Sequence, residues 1–172
     1  MFEINDYIVY GNIGVCKVEK IGTLDTEGVP KDRIYYTLCP YYTKGSTIFT
    51  PADNQKVLMR PVISKEEALK LIDDIKEIDA LWIDDEKSRT IKYKEAFSKC
   101  DCKELVRIIK TIYARKKSRI AEGKKVTMGD EKYFHMAEDS LYGELAIALH
   151  MDKEEAKEFV VKRVEQLASP QA

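Results

Sequence analysis

The stretch Lys56-Val57-Leu58-Met59-Arg60-Pro61-Val62-Ile63-Ser64-Lys65-Glu66-Glu67-Ala68 decides how this chain is built. Its first part closes a series of short β-rich runs, and Pro61, which has no ladder N–H to give, punctuates that series. Ser64-Lys65-Glu66-Glu67 is a capping box: the serine hydroxyl can take the third amide and Glu67 can reach back to the cap. Beyond it Ala68, Leu71, Ile72, Ile75 and Ile78 recur at helical spacing on one face. The hydrophobic period therefore changes from that of a strand to that of a helix. This predicts a β domain over residues 1–60 and an all-helical domain over residues 61–172.

Toward the N-terminus the punctuation repeats. Tyr7-Ile8-Val9-Tyr10 is β-rich and stops at the turn signal Gly11-Asn12. Residues 13–21 alternate in part and end at Gly22. A polar connection, Asp25-Thr26-Glu27-Gly28-Val29-Pro30, leads to a strand over 33–39 halted by Pro40. Gly45 introduces another over 46–50, ended by Pro51, and a last one is expected over 56–59. Short strands with no helical period among them predict a small, strongly bent antiparallel sheet or barrel. Such a module is an interaction platform, because its edge strands carry unpaired backbone groups.

Toward the C-terminus the helical period persists. A second helix is expected over 85–98 with Ile91 and Phe97 as its apolar positions. A third opens at Asp101, whose carboxylate can cap it, and sets Leu105, Ile108, Ile109, Ile112 and Tyr113 on one side. Thr127-Met128-Gly129-Asp130 precedes a fourth with Phe134, Ala137, Leu141, Leu145 and Leu149. A fifth runs over 152–167, with Asp152 and Glu155 in capping-box-like positions. The fold class is α+β: a small bent β-barrel followed by an all-α domain of about five helices.

Composition narrows the function. Hydrophobic residues make up 44% and charged residues 34% of the 172 residues, a globular mixture, and the net charge is −1. Nucleic-acid contact must then come from local patches. No apolar run approaches the roughly 18 residues that span a bilayer. The opening Met1-Phe2-Glu3-Ile4-Asn5-Asp6 is acidic where a secretory signal would be basic. A cytoplasmic protein without a membrane partner is expected. Cys16, Cys39, Cys100 and Cys102 fit that compartment as free thiols. Cys100 and Cys102 have Cys-X-Cys spacing, unlike the usual zinc or redox pair, and only His135 and His150 could join them. The glycines are scattered among turns, and no nucleophile, base and oxyanion donor come together. Neither cofactor, metal nor enzyme activity is expected; the chain reads as a binder.

Several phrases resemble the CarD/CdnL family of transcription regulators. Phe2, Asn5-Asp6-Tyr7-Ile8-Val9-Tyr10, Gly14, Val18 and Ile21 follow the family's opening phrase, with Asn5 where glycine is common. Thr47-Ile48-Phe49-Thr50-Pro51-Ala52-Asp53-Asn54 is similar to its fourth-strand segment. Arg89, Cys100-Asp101, Val106-Arg107-Ile108-Ile109-Lys110 and Gly143-Glu144-Leu145-Ala146 follow in order. The resemblance implies a Tudor-like N-terminal domain, shared with transcription-repair coupling factor, that docks on the RNA polymerase β subunit through a sheet edge. It further implies a helical domain lying against upstream promoter DNA, where a tryptophan wedges into the minor groove and basic residues hold phosphates. The expected role is modulation of open-complex stability by a monomer, with a domain-swapped dimer accessible through the free sheet edges.

Carried to single residues, the polymerase contact is expected at Leu24 and along Thr47-Ile48-Phe49. Phe49 stands where some family members have a basic residue, and its alternative is a place in the barrel core. Trp82, the single tryptophan, is the candidate wedge. Its alternative is packing between helices, and the family's tryptophan would fall near Glu86, one helical turn on. The candidate phosphate contacts are Lys87, Arg89, Lys92 and Lys94, then Arg115, Lys116, Lys117 and Arg119, with Lys124 and Lys125 following. The second group can instead serve the dipole of its own helix. DNA binding of this kind is weak and independent of sequence. A second class of reading is a protein–protein adaptor whose β module docks a partner other than polymerase, with the helices as scaffold.

Overall fold

A computed structural model describes residues 1–168 and divides into two compact units, Met1–Val62 and a second that starts at Ile63. The first unit contains β1 (Tyr7–Tyr10), β2 (Gly14–Gly22), β3 (Tyr35–Pro40), β4 (Ile48–Pro51) and β5 (Met59–Pro61). They form one antiparallel sheet in the order β4-β3-β2-β1-β5. Ile8, Tyr10, Cys16, Val18, Tyr36 and Leu38 make its core. Burial pushes the Cys16 thiol up to about 11, so it behaves as a small apolar side chain. All four cysteines are thiols.

Local chemistry explains the shape of the sheet. The register between β2 and β3 shifts at Val18/Lys20, a bulge that accounts for the partial alternation over 13–21. Gly11 has φ +48°, and a Cβ there would lie 2.8 Å from Val57 Cγ1, so only glycine fits the short 3-10 turn Gly11–Ile13. The last strand is displaced from the expected 56–59 to Met59–Pro61. Pro61 pairs with Ile8 from within it, as a proline can on an edge strand. Asn5 has φ +77°, which explains the glycine common at that place in the resembled family. Asparagine is among the few side chains that visit this region routinely. There its N–H donates to Val18 O at 2.7 Å, while Val18 N–H donates to Asp6 O at 2.9 Å, tying the approach of β1 to β2.

The second unit contains α1 (Lys65–Asp74), α2 (Arg89–Ser98), α3 (Cys102–Ala121), α4 (Met128–Leu149) and α5 (Lys153–Ala168). The expected caps are present. Ser64 Oγ accepts from Glu67 N at 3.1 Å, Asp101 Oδ1 from Lys103 N at 2.8 Å and Asp152 Oδ1 from Glu155 N at 2.8 Å. Buried Ala68, Ile72, Ile108, Ile112, Ala137, Leu141 and Leu145 fill the space between the helices. On α4 the buried Glu144 carboxylate accepts from Ile63 N at 3.0 Å and from Cys102 Sγ at 3.1 Å, which ties the start of the unit and the start of α3 to one side chain. Among the described residues no helix is long and apolar enough to cross a membrane.

Three helical expectations need correction. α2 begins at Arg89 rather than 85, because Ser88 N donates to Asp85 Oδ1 and Ser88 Oγ to Asp85 O, closing a separate turn. Tyr113, expected on the apolar side of α3, is exposed, as is the apolar Ile91 of α2. α1 stops at Asp74, and Ile75 opens a 3-10 turn, Ile75–Glu77, before the buried Ile78.

The left-handed conformation at Asn5 supplies a test. Asn5→Val should destabilise the β unit by about 1–2 kcal/mol, whereas Asn5→Gly should stay within about 0.5 kcal/mol of the parent. Urea unfolding of both variants, followed by amide signals of the sheet, measures the difference.

Candidate functional site

Each unit presents its own candidate surface. In the β unit, β4 is one end of the sheet order, so its outer edge keeps backbone groups for another chain. Strand alternation turns Ile48 and Thr50 inward and Phe49 outward. Ile48 packs against the core, and Thr50 is buried with its hydroxyl accepting from Asn54 Nδ2 at 2.9 Å. Phe49 is 56% exposed, which overturns the alternative that it belongs to the core. Thr47 is exposed and Leu24 half-buried in the β2–β3 connection. Beyond β4, Arg33 Nε and Nη2 donate to Asp53 Oδ1 at 3.1 and 3.0 Å, on the rim of an apolar cavity of about 790 Å3 lined by Ile21, Ile34, Tyr36 and Ala52.

In the helical unit the organising group is Asp130, in the first turn of α4 and 2% exposed. A carboxylate this buried requires donors. Its Oδ1 accepts from Tyr93 Oη of α2 at 3.0 Å, and its Oδ2 from Arg115 Nε of α3 at 2.6 Å. Its own backbone N–H donates to Thr127 Oγ1 at 3.1 Å, closing the cap of α4. Burial, and next the Asp130 charge, push the Tyr93 hydroxyl far above the ordinary tyrosine range, so it stays a donor. The rest of the Arg115 guanidinium grips Glu86: Nη1 to Oε1 at 2.7 Å and Nη2 to Oε2 at 3.1 Å. Arg89 Nη1 reaches the same Oε2 at 2.6 Å. Hydrogen bonds from Arg89 and then Arg115 hold the Glu86 carboxyl down at about 2, below its ordinary 4.5.

Trp82 lies just before this knot and is 80% exposed, which overturns the alternative that it packs between helices. It borders a cavity of about 450 Å3 together with Leu81, Ile83, Glu86, Thr111 and Arg115.

The expected basic residues divide by circumstance. Arg89 and Arg115 keep most of their side chains out of solvent and are held by Glu86 and Asp130. Lys87 and Lys94 are exposed, and Lys92 is half-buried. Lys116 Nζ sits 4.5 Å from the Phe134 ring centroid and Lys117 Nζ 5.2 Å from that of Tyr113, so both cations stand beside aromatic faces. Arg119 Nε donates to Lys125 O at 2.7 Å and closes the α3–α4 connection, where Lys124 pairs with Glu122 at 3.1 Å. Lys124 and Lys125 are exposed. The cysteine and histidine candidates do not assemble. Exposed His135 stands 4.0 Å from Glu131, and His150 ends α4 in a left-handed conformation.

Sequence reasoning missed the groups that support Trp82, namely Glu86, Tyr93, Thr111 and Asp130. The only signal was an isolated one, Thr127 three residues ahead of Asp130, which marks a cap and says nothing of burial.

Residues 2–63 match the CarD-like/TRCF RID domain. No curated protein matches the chain.

The Glu86 knot is open to titration. Its carboxyl is lower in the folded state, so its contribution is complete above about 4.5 and disappears as pH falls toward about 2. An NMR titration of Glu86 should find it ionised throughout the range where other exposed glutamates protonate, and Arg115→Lys should move it part of the way back toward its ordinary 4.5, with Arg89 still holding it.

Proposed function

We propose, from the match of residues 2–63 to the CarD-like/TRCF RID domain, that the chain is a transcription regulator joining the RNA polymerase β subunit to upstream promoter DNA. The family is one of protein-interaction modules and implies the β subunit as partner. The observation that carries the DNA half is Trp82, a large apolar ring held out in solvent beside a fixed ion-pair knot. Burying such a ring is favourable, and a minor-groove step at the edge of melted DNA offers a place for it.

The assignments follow from what each side chain is already doing. On the β unit, the outer edge of β4 adds backbone hydrogen bonds to a partner strand, and Phe49 supplies an apolar anchor. Thr47 and Leu24 complete that contact, to which Ile48, its side chain turned into the core, brings only main-chain groups. On the helical unit, Lys87, Lys92, Lys94, Lys116, Lys117, Lys124 and Lys125 supply cations for phosphates, and Arg119 shapes the connection that carries the last two. Arg89 and Arg115 serve Trp82 through Glu86 and Asp130. At net charge −1 such contacts give feeble binding to free DNA, and docking on polymerase supplies the local concentration. The action is on open-complex stability, in the cytoplasm where polymerase works.

The adaptor reading keeps one observation in its favour: two of the expected phosphate contacts, Arg89 and Arg115, are committed to internal carboxylates. Both readings meet the same measurement. Open-complex lifetime on a promoter with purified polymerase should change on adding the protein, and Trp82→Ala, or charge reversal at Lys116 and Lys117, should return it toward the polymerase-only value. An effect that survives both variants supports the adaptor.

The docking edge has its own expected outcome. Phe49→Lys should weaken capture of the polymerase β subunit by about tenfold or more while leaving the helical unit's amide spectrum unchanged. Undiminished capture would move the contact off β4.

A further inference from the structure

The connection from α1 to α2 carries Trp82 without a strand or α-helix of its own, yet α3 holds it at successive turns. Lys110 Nζ donates to Ile78 O at 2.6 Å and to Lys76 O at 3.2 Å. Arg107 Nε donates to Asp79 O at 3.2 Å. Thr111 Oγ1 accepts from Leu81 N at 2.8 Å while its own hydroxyl donates to Arg107 O at 2.7 Å. Arg115 grips Glu86 with both Nη atoms and anchors itself on buried Asp130. Arg107, Thr111 and Arg115 recur every fourth residue and so share one face of α3, with Lys110 beside them. The held points bracket Trp82: Leu81 immediately before it, Glu86 shortly after. A loop so restrained presents a single exposed ring at its tip.

We propose that Arg107, Lys110, Thr111 and Arg115 are positioning residues, a strap along α3 that holds the α1–α2 connection and presents Trp82 in one orientation. Insertion of a ring from a loose loop must first order that loop; a strap removes this loss before the ligand arrives. The strap acts mostly through main-chain groups of the connection. The loop's own side chains can therefore differ while the presentation of the ring is kept. That the ligand of Trp82 is promoter DNA rests on the reading above, whereas the restraint itself does not.

The strap is testable on the free, full chain, because Trp82 is the single tryptophan and fluorescence excited at the red edge, beyond tyrosine absorption, reports it alone. Thr111→Val keeps the shape of the side chain and removes the acceptor for Leu81 N; Thr111→Ser keeps the acceptor. In Thr111→Val the Leu81 amide should exchange about fivefold faster, the loss of one net hydrogen bond. The fast depolarisation of Trp82 should grow with it, far-UV circular dichroism staying the same. Thr111→Ser should restore both, and Lys110→Met should reproduce the loosening from a second point. Unchanged Trp82 depolarisation in Thr111→Val and Lys110→Met would overturn the proposal, as would failure of Thr111→Ser to restore it. Open-complex lifetime measured on the same variants separates the two claims. A loosened Trp82 with no effect of Trp82→Ala on lifetime sinks the promoter reading and leaves the strap standing.

Discussion

Asp130 is the constraint on which the working face of the helical unit depends. A carboxylate inside a protein is tolerated only when donors surround it, and two helices supply them here: Tyr93 from α2 and Arg115 from α3, while the Asp130 main-chain N–H donates to the Thr127 cap of α4. The arrangement has a directional consequence. Arg115, anchored by Nε on Asp130, has its two remaining nitrogens aimed at Glu86, which is also taken by Arg89. The turn that precedes α2 is thereby fixed to α3. A surface ion pair alone stabilises little, but one whose arginine is already immobilised pays less side-chain entropy for its geometry. Glu144 does similar service elsewhere on α4, where its carboxylate gathers Ile63 N and the Cys102 thiol. Two buried carboxylates on one helix thus organise the unit at separate points.

The β unit works by a different physics. Its stability lies in a small apolar cluster and in turn chemistry, with Asn5 and Gly11 in conformations that few residues accept. Its capacity for a partner lies in what the sheet leaves unpaired. β4 and β5 end the sheet order, and β4 turns an aromatic ring outward between two inward-facing neighbours. An edge strand with an apolar outer residue is a liability in isolation and a docking site in company. The match of residues 2–63 to the CarD-like/TRCF RID domain agrees with that arrangement.

Legibility in the sequence followed the range of the interactions. Ser64, Asp101, Thr127 and Asp152 could be read as caps because each closes a bond within three residues along the chain. The inward positions of α3 and α4 were legible from their period, yet Tyr113 and Ile91 kept that period and still face solvent. Periodicity says which residues share a face and cannot say how far a neighbouring helix extends over it. Trp82 shows the same limit from the other side. Apolar surroundings, Ala80-Leu81-Trp82-Ile83, favoured burial, but the ring projects because α3 holds main-chain groups before it and the Glu86 carboxylate after it.

By itself the sequence determined the change from strand to helix near Pro61, the number and order of the main elements and most of their caps. These depend on local hydrogen bonding and on a hydrophobic period, both of which are written in neighbouring residues. The tertiary structure alone decided which arginines are spent on internal carboxylates, which aromatic rings face out and which threonine holds the loop before Trp82. Arg115 meets Asp130 across 15 residues and Glu86 across 29, and Thr111 meets Leu81 across 30. Contacts of that range arise only when packed helices bring distant positions together, so composition and spacing carry no mark of them.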